Sequence, residues 1–254
     1  MKTCNLCKKE KPLIKKSHII PDFFFKATGL FNEKHQTHKV VVNEFLESKK
    51  FSYVPTGDYE GGILCKECDN ELIGDLETYG RKVLYGQPTK LEDPTKKVIK
   101  NPIDGAEYTI YEKVDYHKFK LFLLSILWRA CITTRKVFKE ADISEQDKEN
   151  IRLMLISGNS GEIKEYPIVF MTYLNDSKLP KDLIIQPIKS QTNEEEIITF
   201  LICGYVFIFN ITKDFKNICD IEDLTITPDN KFKLIHIPEN EGWNFILRFA
   251  NIKK

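Results

Sequence analysis

The feature that most constrains the fold of this chain is a pair of Cys-x2-Cys knuckles. Cys4 and Cys7 form the first knuckle, and Cys65 and Cys68 form the second. Four thiolates in this arrangement complete the tetrahedral coordination of a structural zinc ion. A zinc ion held in this way would fix the start of the chain against a segment about sixty residues further on.

The surroundings of the cysteines favour metal ligation over disulfide formation. The start of the chain lacks the apolar run of a secretory signal, which predicts a cytoplasmic protein in a reducing compartment. Paired Cys-x2-Cys units in such a compartment are typical of zinc sites. The expected cofactor of the four cysteines is therefore structural Zn²⁺.

The charge balance says little about partners, except at the N-terminus. With 38 Lys and Arg against 37 Asp and Glu, the chain has a formal net charge of +1. A nucleic-acid partner would therefore have to bind a local basic patch. Residues 2–16 contain six lysines and a single acid, Glu10, and form a candidate patch. The alternative is an ordinary solvated face.

Two apolar runs resemble membrane spans but do not qualify. Residues 119–132 include Lys120 and Arg129, and residues 197–211 form an uncharged run of only fifteen residues. A helix needs roughly 20 apolar residues to cross a bilayer. The second run is rich in Ile, Phe and Val around Gly204, which predicts two buried strands joined by a bend. No membrane span is predicted.

The remaining patterns predict an α+β protein with a helical centre and a mostly β C-terminal region. Prolines and charges mark 87–115 as an irregular linker between an N-terminal unit, 1–86, and a larger domain, 116–254. Asp69 suits the N-cap of a helix that follows the second knuckle, and Ser144 with Asp147 suits a capping box. The other predicted elements are a helix over 116–139 and β-rich runs over 167–174, 183–188, 197–211 and 232–237.

Three motifs follow one another within residues 4–80. They are a Cys-x2-Cys knuckle, the pentapeptide Ser-His-Ile-Ile-Pro at 17–21, and Leu-Cys-x2-Cys-Asp-Asn at 64–70 before a helix. This order resembles the HNH endonucleases, also called ββα-metal or His-Me finger nucleases. The resemblance implies an N-terminal ββα unit with one catalytic divalent metal and a separate four-cysteine zinc site.

Phosphodiester hydrolysis needs a base that activates water and a cation that stabilises charge at the phosphate. The resemblance implies that His18 is the base, and that Asp69 and Asn70 bind a catalytic Mg²⁺ or Mn²⁺. The chain departs from the family at two metal-site positions. Ser17 stands where an Asp or His commonly precedes the histidine, and Glu60 stands near the place of the family's middle Asn.

The resemblance implies a metal-dependent endonuclease that cleaves DNA, of the kind used in bacterial defence or by mobile elements. The alternative is a zinc-stabilised nucleic-acid-binding or interaction protein with a non-catalytic HNH site. On that alternative, Asp69 and Asn70 cap a helix and His18 bonds to the knuckle backbone. Arg129 and Arg135 are candidates for either a phosphate or an internal acid. A homo-oligomer and a regulatory partner of the C-terminal region both stay open.

Overall fold

The computed structural model describes residues 2–26, 37–40, 52–54, 57–86, 94–102, 105–191, 195–212 and 224–251. The helices are α1 (Phe23–Lys26), α2 (Gly74–Tyr85), α3 (Tyr116–Ile132), α4 (Glu145–Ser157) and α5 (Gly242–Asn251), with a π-helical turn at Glu67–Ile73 and a 3-10 turn at Lys136–Ala141. The strands are β1 (Lys2–Thr3), β2 (Glu10–Lys11), β3 (Ser17–His18), β4 (Thr37–Val40), β5 (Ser52–Val54), β6 (Tyr59–Glu60), β7 (Thr95–Lys100), β8 (Glu107–Glu112), β9 (Ile168–Thr172), β10 (Ile184–Gln191), β11 (Glu196–Ile202), β12 (Tyr205–Asn210) and β13 (Phe232–His236).

Nine of these strands form one large mixed sheet. Its order is β5-β4-β10-β11-β12-β9-β13-β8-β7, and the β4–β10 and β9–β13 pairs are parallel. The α+β class and the C-terminal sheet are therefore confirmed. The bend predicted at Gly204 joins β11 to β12, and both of its residues, Cys203 and Gly204, have positive φ. Two adjacent positive-φ residues match the twist of a tight β-hairpin.

The stretch expected to be an irregular linker, 87–115, is partly regular. Thr95–Lys100 and Glu107–Glu112 are the strands β7 and β8, which pair along their whole length at one edge of the sheet. The prolines that suggested a linker lie outside both strands. The β-branched residues of β7 and the β-branched and aromatic residues of β8 suit a sheet. The division of the chain into separate domains stays a prediction.

Helix α3 is the centre of the molecule, because every residue from 119 to 130 is buried. It packs against α2 so closely that a Cβ on Gly80 would lie 2.5 Å from the Phe122 ring. On another side, Phe122 contacts the aromatic residues of α1, and Phe24 in turn meets Phe207 of the sheet, with 6.1 Å between ring centroids. One apolar cluster therefore joins the N-terminal segment, the central helix and the sheet.

The two faces of the sheet are buried by different elements. On β11 and β12, Phe200 and Phe207 face the helical core, whereas Leu201 and Val206 belong to a second cluster with Ile246 of α5. This alternation follows from the two-residue period of a strand. Among the described residues, no helix has both the length and the apolar character needed to cross a bilayer.

The predicted helix boundaries are only partly correct. Ser144 caps α4 as expected, because its Oγ accepts a hydrogen bond from the backbone N–H of Asp147 at 3.1 Å. The helix predicted over 116–139 ends earlier, at Ile132, and a separate 3-10 turn follows. Helix α5 was not predicted.

Candidate metal centre and candidate active site

The first knuckle is the turn of a short hairpin. Strands β1 and β2 pair antiparallel, and the backbone N–H of Cys4 donates to Lys9 O at 2.9 Å. Lys8, directly after Cys7, has a φ of 59° and turns the chain back toward β2. This tight turn leaves both thiols on the same side of the hairpin as the second knuckle.

The second knuckle is fastened to the first through the backbone. Asn5 N donates to Ile63 O at 3.0 Å, and Ile14 N donates to Leu64 O at 2.9 Å. The backbone N–H of Cys65 donates to the Sγ of Cys4 at 3.3 Å. The chain segments around residues 4–14 and 63–65 thus form one hydrogen-bonded layer beneath the thiols.

The four cysteine sulfurs lie within 4.8 Å of one another, and the Sγ atoms of Cys7 and Cys65 are 4.0 Å apart. Sulfurs about 2.3 Å from a zinc ion lie roughly 3.8 Å apart along the edges of a tetrahedron. The geometry of the cluster is close to this value. Cys4, Cys7, Cys65 and Cys68 can therefore hold a metal ion such as zinc.

The protonation of these thiols is also informative. Burial raises the pKa of Cys4, but hydrogen bonds from the backbone near Cys7, Cys65 and Leu6 outweigh it and lower the pKa to about 7. Burial raises the pKa of Cys68, and the neighbouring thiols raise it further. Adjacent buried thiols resist joint ionisation without a cation, so a bound divalent ion would supply the compensating charge.

The candidate histidine lies on the strand pair β3–β6. In this antiparallel pair His18 stands opposite Tyr59, and Ser17 stands opposite Glu60. The partly exposed His18 ring meets the Tyr59 ring edge-on, with 6.2 Å between the ring centroids. The ammonium of Lys16 lies 4.9 Å from the centre of the Tyr59 ring. The partly exposed imidazole therefore lies beside an aromatic ring that also meets a cation.

Asp69 approaches this strand from the start of the helical segment. The buried Ser17 donates its hydroxyl to Asp69 Oδ1 at 2.5 Å. The prediction that Asp69 is the helix N-cap is wrong, because the π-helical turn begins earlier, at Glu67. The knuckle itself starts the turn, since Asp69 N already donates to Cys65 O at 3.0 Å. Asn70 is exposed to solvent.

The structure thus brings Asp69 to the residue before His18, but it does not complete a second metal site. Within the described part of the chain, the four cysteines are the one set of at least three His, Cys, Asp or Glu side chains placed to share an ion. Mg²⁺ is often bound by one or two carboxylates together with water and substrate phosphates. Asp69 fits such a site in part, and the catalytic Mg²⁺ or Mn²⁺ stays a prediction.

Arg129 reaches the histidine strand from inside the protein. Its Nη1 donates to His18 O at 2.7 Å and to the Glu77 carboxylate at 2.6 Å, and its Nε donates to Ser125 O at 3.1 Å. Of the two predicted roles of this arginine, contact with an internal acid is the one observed. The sequence signal was a cation within an otherwise apolar helix.

The residues after α3 hold the second strand of the pair, and sequence reasoning missed most of them. Glu60 accepts hydrogen bonds from the Thr133 hydroxyl and from the Thr134 N–H at 2.9 Å. Burial raises the pKa of Glu60, but these hydrogen bonds lower it below its ordinary value. Arg135 donates to Tyr59 O at 3.0 Å and pairs with Asp58 at 3.3 Å.

No family model matches the chain, and neither the curated proteins nor the solved structures contain a match. The resemblance to HNH endonucleases therefore rests on the sequence motifs and stays a prediction. The structure adds the thiol cluster, the β3–β6 pair and the contact between Ser17 and Asp69 as local geometry.

Proposed function

We propose that this protein is a metal-dependent endonuclease of HNH type that hydrolyses phosphodiester bonds in DNA. One observation carries the proposal. Strands β3 and β6 pair antiparallel, and Asp69, in the helical segment after the second knuckle, contacts Ser17, the residue before His18. A carboxylate that can contribute to a hard-metal site thus contacts the strand that carries the imidazole.

In this proposal His18 is the general base that takes a proton from the attacking water. Asp69 provides the carboxylate for the catalytic cation, with Asn70 beside it. When bound, Mg²⁺ or Mn²⁺ stabilises negative charge on the scissile phosphate and on the leaving oxygen. Cleavage of DNA in defence or by a mobile element would use this chemistry.

The four-cysteine cluster has a structural role in the proposal. Zinc bound by four thiolates has no open position for water or substrate, so it takes no part in hydrolysis. Its place in the fold suits a scaffold, because Cys68 directly precedes Asp69 and Cys65 O accepts a hydrogen bond from Asp69 N. Zinc would therefore fix the start of the helical segment against the N-terminal hairpin.

A basic groove near the histidine strand supports a nucleic-acid substrate. The groove has a volume of about 520 Å³, and Lys2, Lys11 and Lys15 line it together with the Gly61–Gly62 turn. Its lining residues include no acid, although Lys11 also pairs with Glu67 at 3.1 Å. Lysines in such a groove attract the phosphate backbone without reading its sequence.

The nuclease proposal is tested by the nicking of supercoiled plasmid with Mg²⁺ or Mn²⁺. We expect the wild-type protein to nick DNA and His18→Ala to lose at least about 100-fold in rate, as expected for the loss of a general base. His117→Ala is the matched control, because His117 bonds to Ser160 near the other end of α3. Full nicking by His18→Ala would refute the assignment.

One observation favours a second function, a zinc-stabilised nucleic-acid-binding protein without catalysis. Ser17 occupies a position where the resemblance expects a metal ligand, and its hydroxyl is engaged with Asp69. The same plasmid experiment separates the two proposals when it is combined with a gel-shift assay. Binding without nicking by every variant, in either metal, would support the second function.

A further inference from the structure

Arg129 is almost completely buried, which is unusual for a charged side chain. Its side chain is 1% exposed, in the last turn of a helix whose neighbouring residues are apolar. Removing a guanidinium from water has a large desolvation penalty, which the ion pair with Glu77 offsets only in part. Apolar residues in place of both Arg129 and Glu77 would satisfy the packing without this penalty, so the hydrogen bonds of Arg129 are its distinguishing property.

Those hydrogen bonds connect three segments at one point. Arg129 belongs to α3, its carboxylate partner Glu77 belongs to α2, and its carbonyl partner is His18 on β3. A guanidinium presents its donors in a rigid planar fork, so it fixes the directions of its partners as well as their distances. The backbone of His18 is therefore held by Arg129 of α3, whose guanidinium is in turn held by Glu77 of α2.

The strand opposite is held in the same way. Tyr59, which is registered against His18, accepts a hydrogen bond from Arg135 at its carbonyl. Both carbonyls of this registered pair thus meet arginines from the end of α3 and the residues that follow it. The strand pair is only two residues long in each strand, so its own hydrogen bonds supply little rigidity.

From this arrangement we infer that Arg129 is a positioning residue for His18. It acts through the backbone of His18, which sets the direction of the imidazole, and it does not touch the substrate. The inference deepens the proposed nuclease function and depends on it for the catalytic meaning of His18. The effect of Arg129 on the position of the His18 ring can be measured without an activity assay.

Arg152 provides a matched control within the same protein. It lies on α4, its Nη1 donates to Leu6 O at 2.6 Å, and it pairs with Glu149 at 2.7 Å. Arg152 thus holds the first knuckle by the same two contacts, a carbonyl and a carboxylate, with which Arg129 holds the histidine strand. Its side chain is 12% exposed, so it is also largely buried.

The experiment compares Arg129→Lys with Arg152→Lys. Lysine keeps the charge but lacks the planar fork, so it does not hold a carbonyl and a carboxylate in one fixed geometry. The readouts are kcat and KM for plasmid nicking, zinc content, thermal stability and the His18 ring Hε1 signal in NMR spectra, assigned with His18→Ala. We expect Arg129→Lys to shift the His18 signal and to lower kcat about 100-fold, with KM within about threefold of wild type.

Arg152→Lys is expected to keep the His18 signal in place and kcat within about threefold of the wild-type value. The inference is overturned if zinc-loaded, folded Arg129→Lys retains the wild-type signal and kcat, or if both variants lose equally. If Arg129→Lys does not fold, Glu77→Gln is measured by the same readouts. A wild-type protein that does not nick DNA refutes the proposed function, and the His18 signal then decides the inference by itself.

Discussion

The two ends of helix α3 each bury one cation, and they surround it differently. Arg129, near the C-terminal end, is paired with the Glu77 carboxylate and also holds two backbone carbonyls. Lys120, near the N-terminal end, is 2% exposed and donates to neutral oxygens, the Tyr116 hydroxyl at 3.1 Å and Glu162 O at 2.7 Å.

The difference shows what each charge does for the fold. Burial lowers the pKa of Lys120 to about 7, and the negative charge of Glu165 offsets this only partly. The protonated ammonium therefore destabilises the folded state at neutral pH. The Arg129 guanidinium has a carboxylate partner, and its hydrogen bonds join the histidine strand to the helical core. The buried charge is compensated by a partner at the C-terminal end of α3 and destabilising at the N-terminal end.

The largest expected effect tests whether the two ends of α3 are stabilised independently of each other. Cys65→Ser removes one of four thiol ligands, and structural zinc contributes on the order of 10 kcal/mol to the folding of small zinc units. We expect the variant to lose zinc, and residues 2–20 to lose protection from hydrogen exchange. The N-terminal half of α3 should keep its protection. Cys131→Ser is the control, since Cys131 bonds to Ala141 O. Uniform loss along α3 would show that its ends are coupled.

The next effect concerns the paired cation. Arg129→Met should lower the free energy of unfolding by about 3 kcal/mol, because it leaves the Glu77 carboxylate and the His18 carbonyl without their donor. We place the effect at the lower end of the range for broken buried pairs, since Glu77 is 23% exposed and can be solvated. Urea denaturation of the zinc-loaded proteins measures it. A loss below about 1 kcal/mol would mean that the pair contributes little net stability.

The smallest expected effect has the opposite sign and depends on pH. The pKa of Lys120 is about 7 in the folded state against an ordinary value of 10.5. The unfolded chain therefore binds more protons than the folded one between these values, and the stability of the wild-type protein rises with pH there. The destabilisation caused by burying the charged Lys120 ammonium is complete below pH 7. Lys120→Met removes the penalty and should be the more stable protein at pH 6.

Relative to Lys120→Met, the wild-type protein should gain roughly 2 kcal/mol between pH 7 and pH 9. Urea denaturation of both proteins at pH 6, 7 and 9 measures this gain. A pH-independent difference between them would show that Lys120 keeps its proton in the folded state. The contrast between the two ends of α3 would then disappear.

Much of the local structure could be predicted from the sequence. The capping box at Ser144, the hairpin bend at Gly204 and the β-rich C-terminal runs depend on residues close together in the chain. The helix start at Asp69 could not, because the second knuckle begins the turn earlier and Asp69 is drawn to Ser17 instead. The strands β7 and β8 were missed because prolines outside them dominated the composition.

The sequence by itself determined which four cysteines can hold a metal ion and which histidine is the candidate base. Two Cys-x2-Cys knuckles have a chemistry and a spacing that suit one structural ion wherever the chain places them. The tertiary structure decided the surroundings of His18. Its partner Arg129 is 111 residues away, and the Ser17–Asp69 contact spans 52 residues. Separations of this size carry no periodic signal, and only the packing of α3 and of the turn after the second knuckle against the strand pair selects these partners.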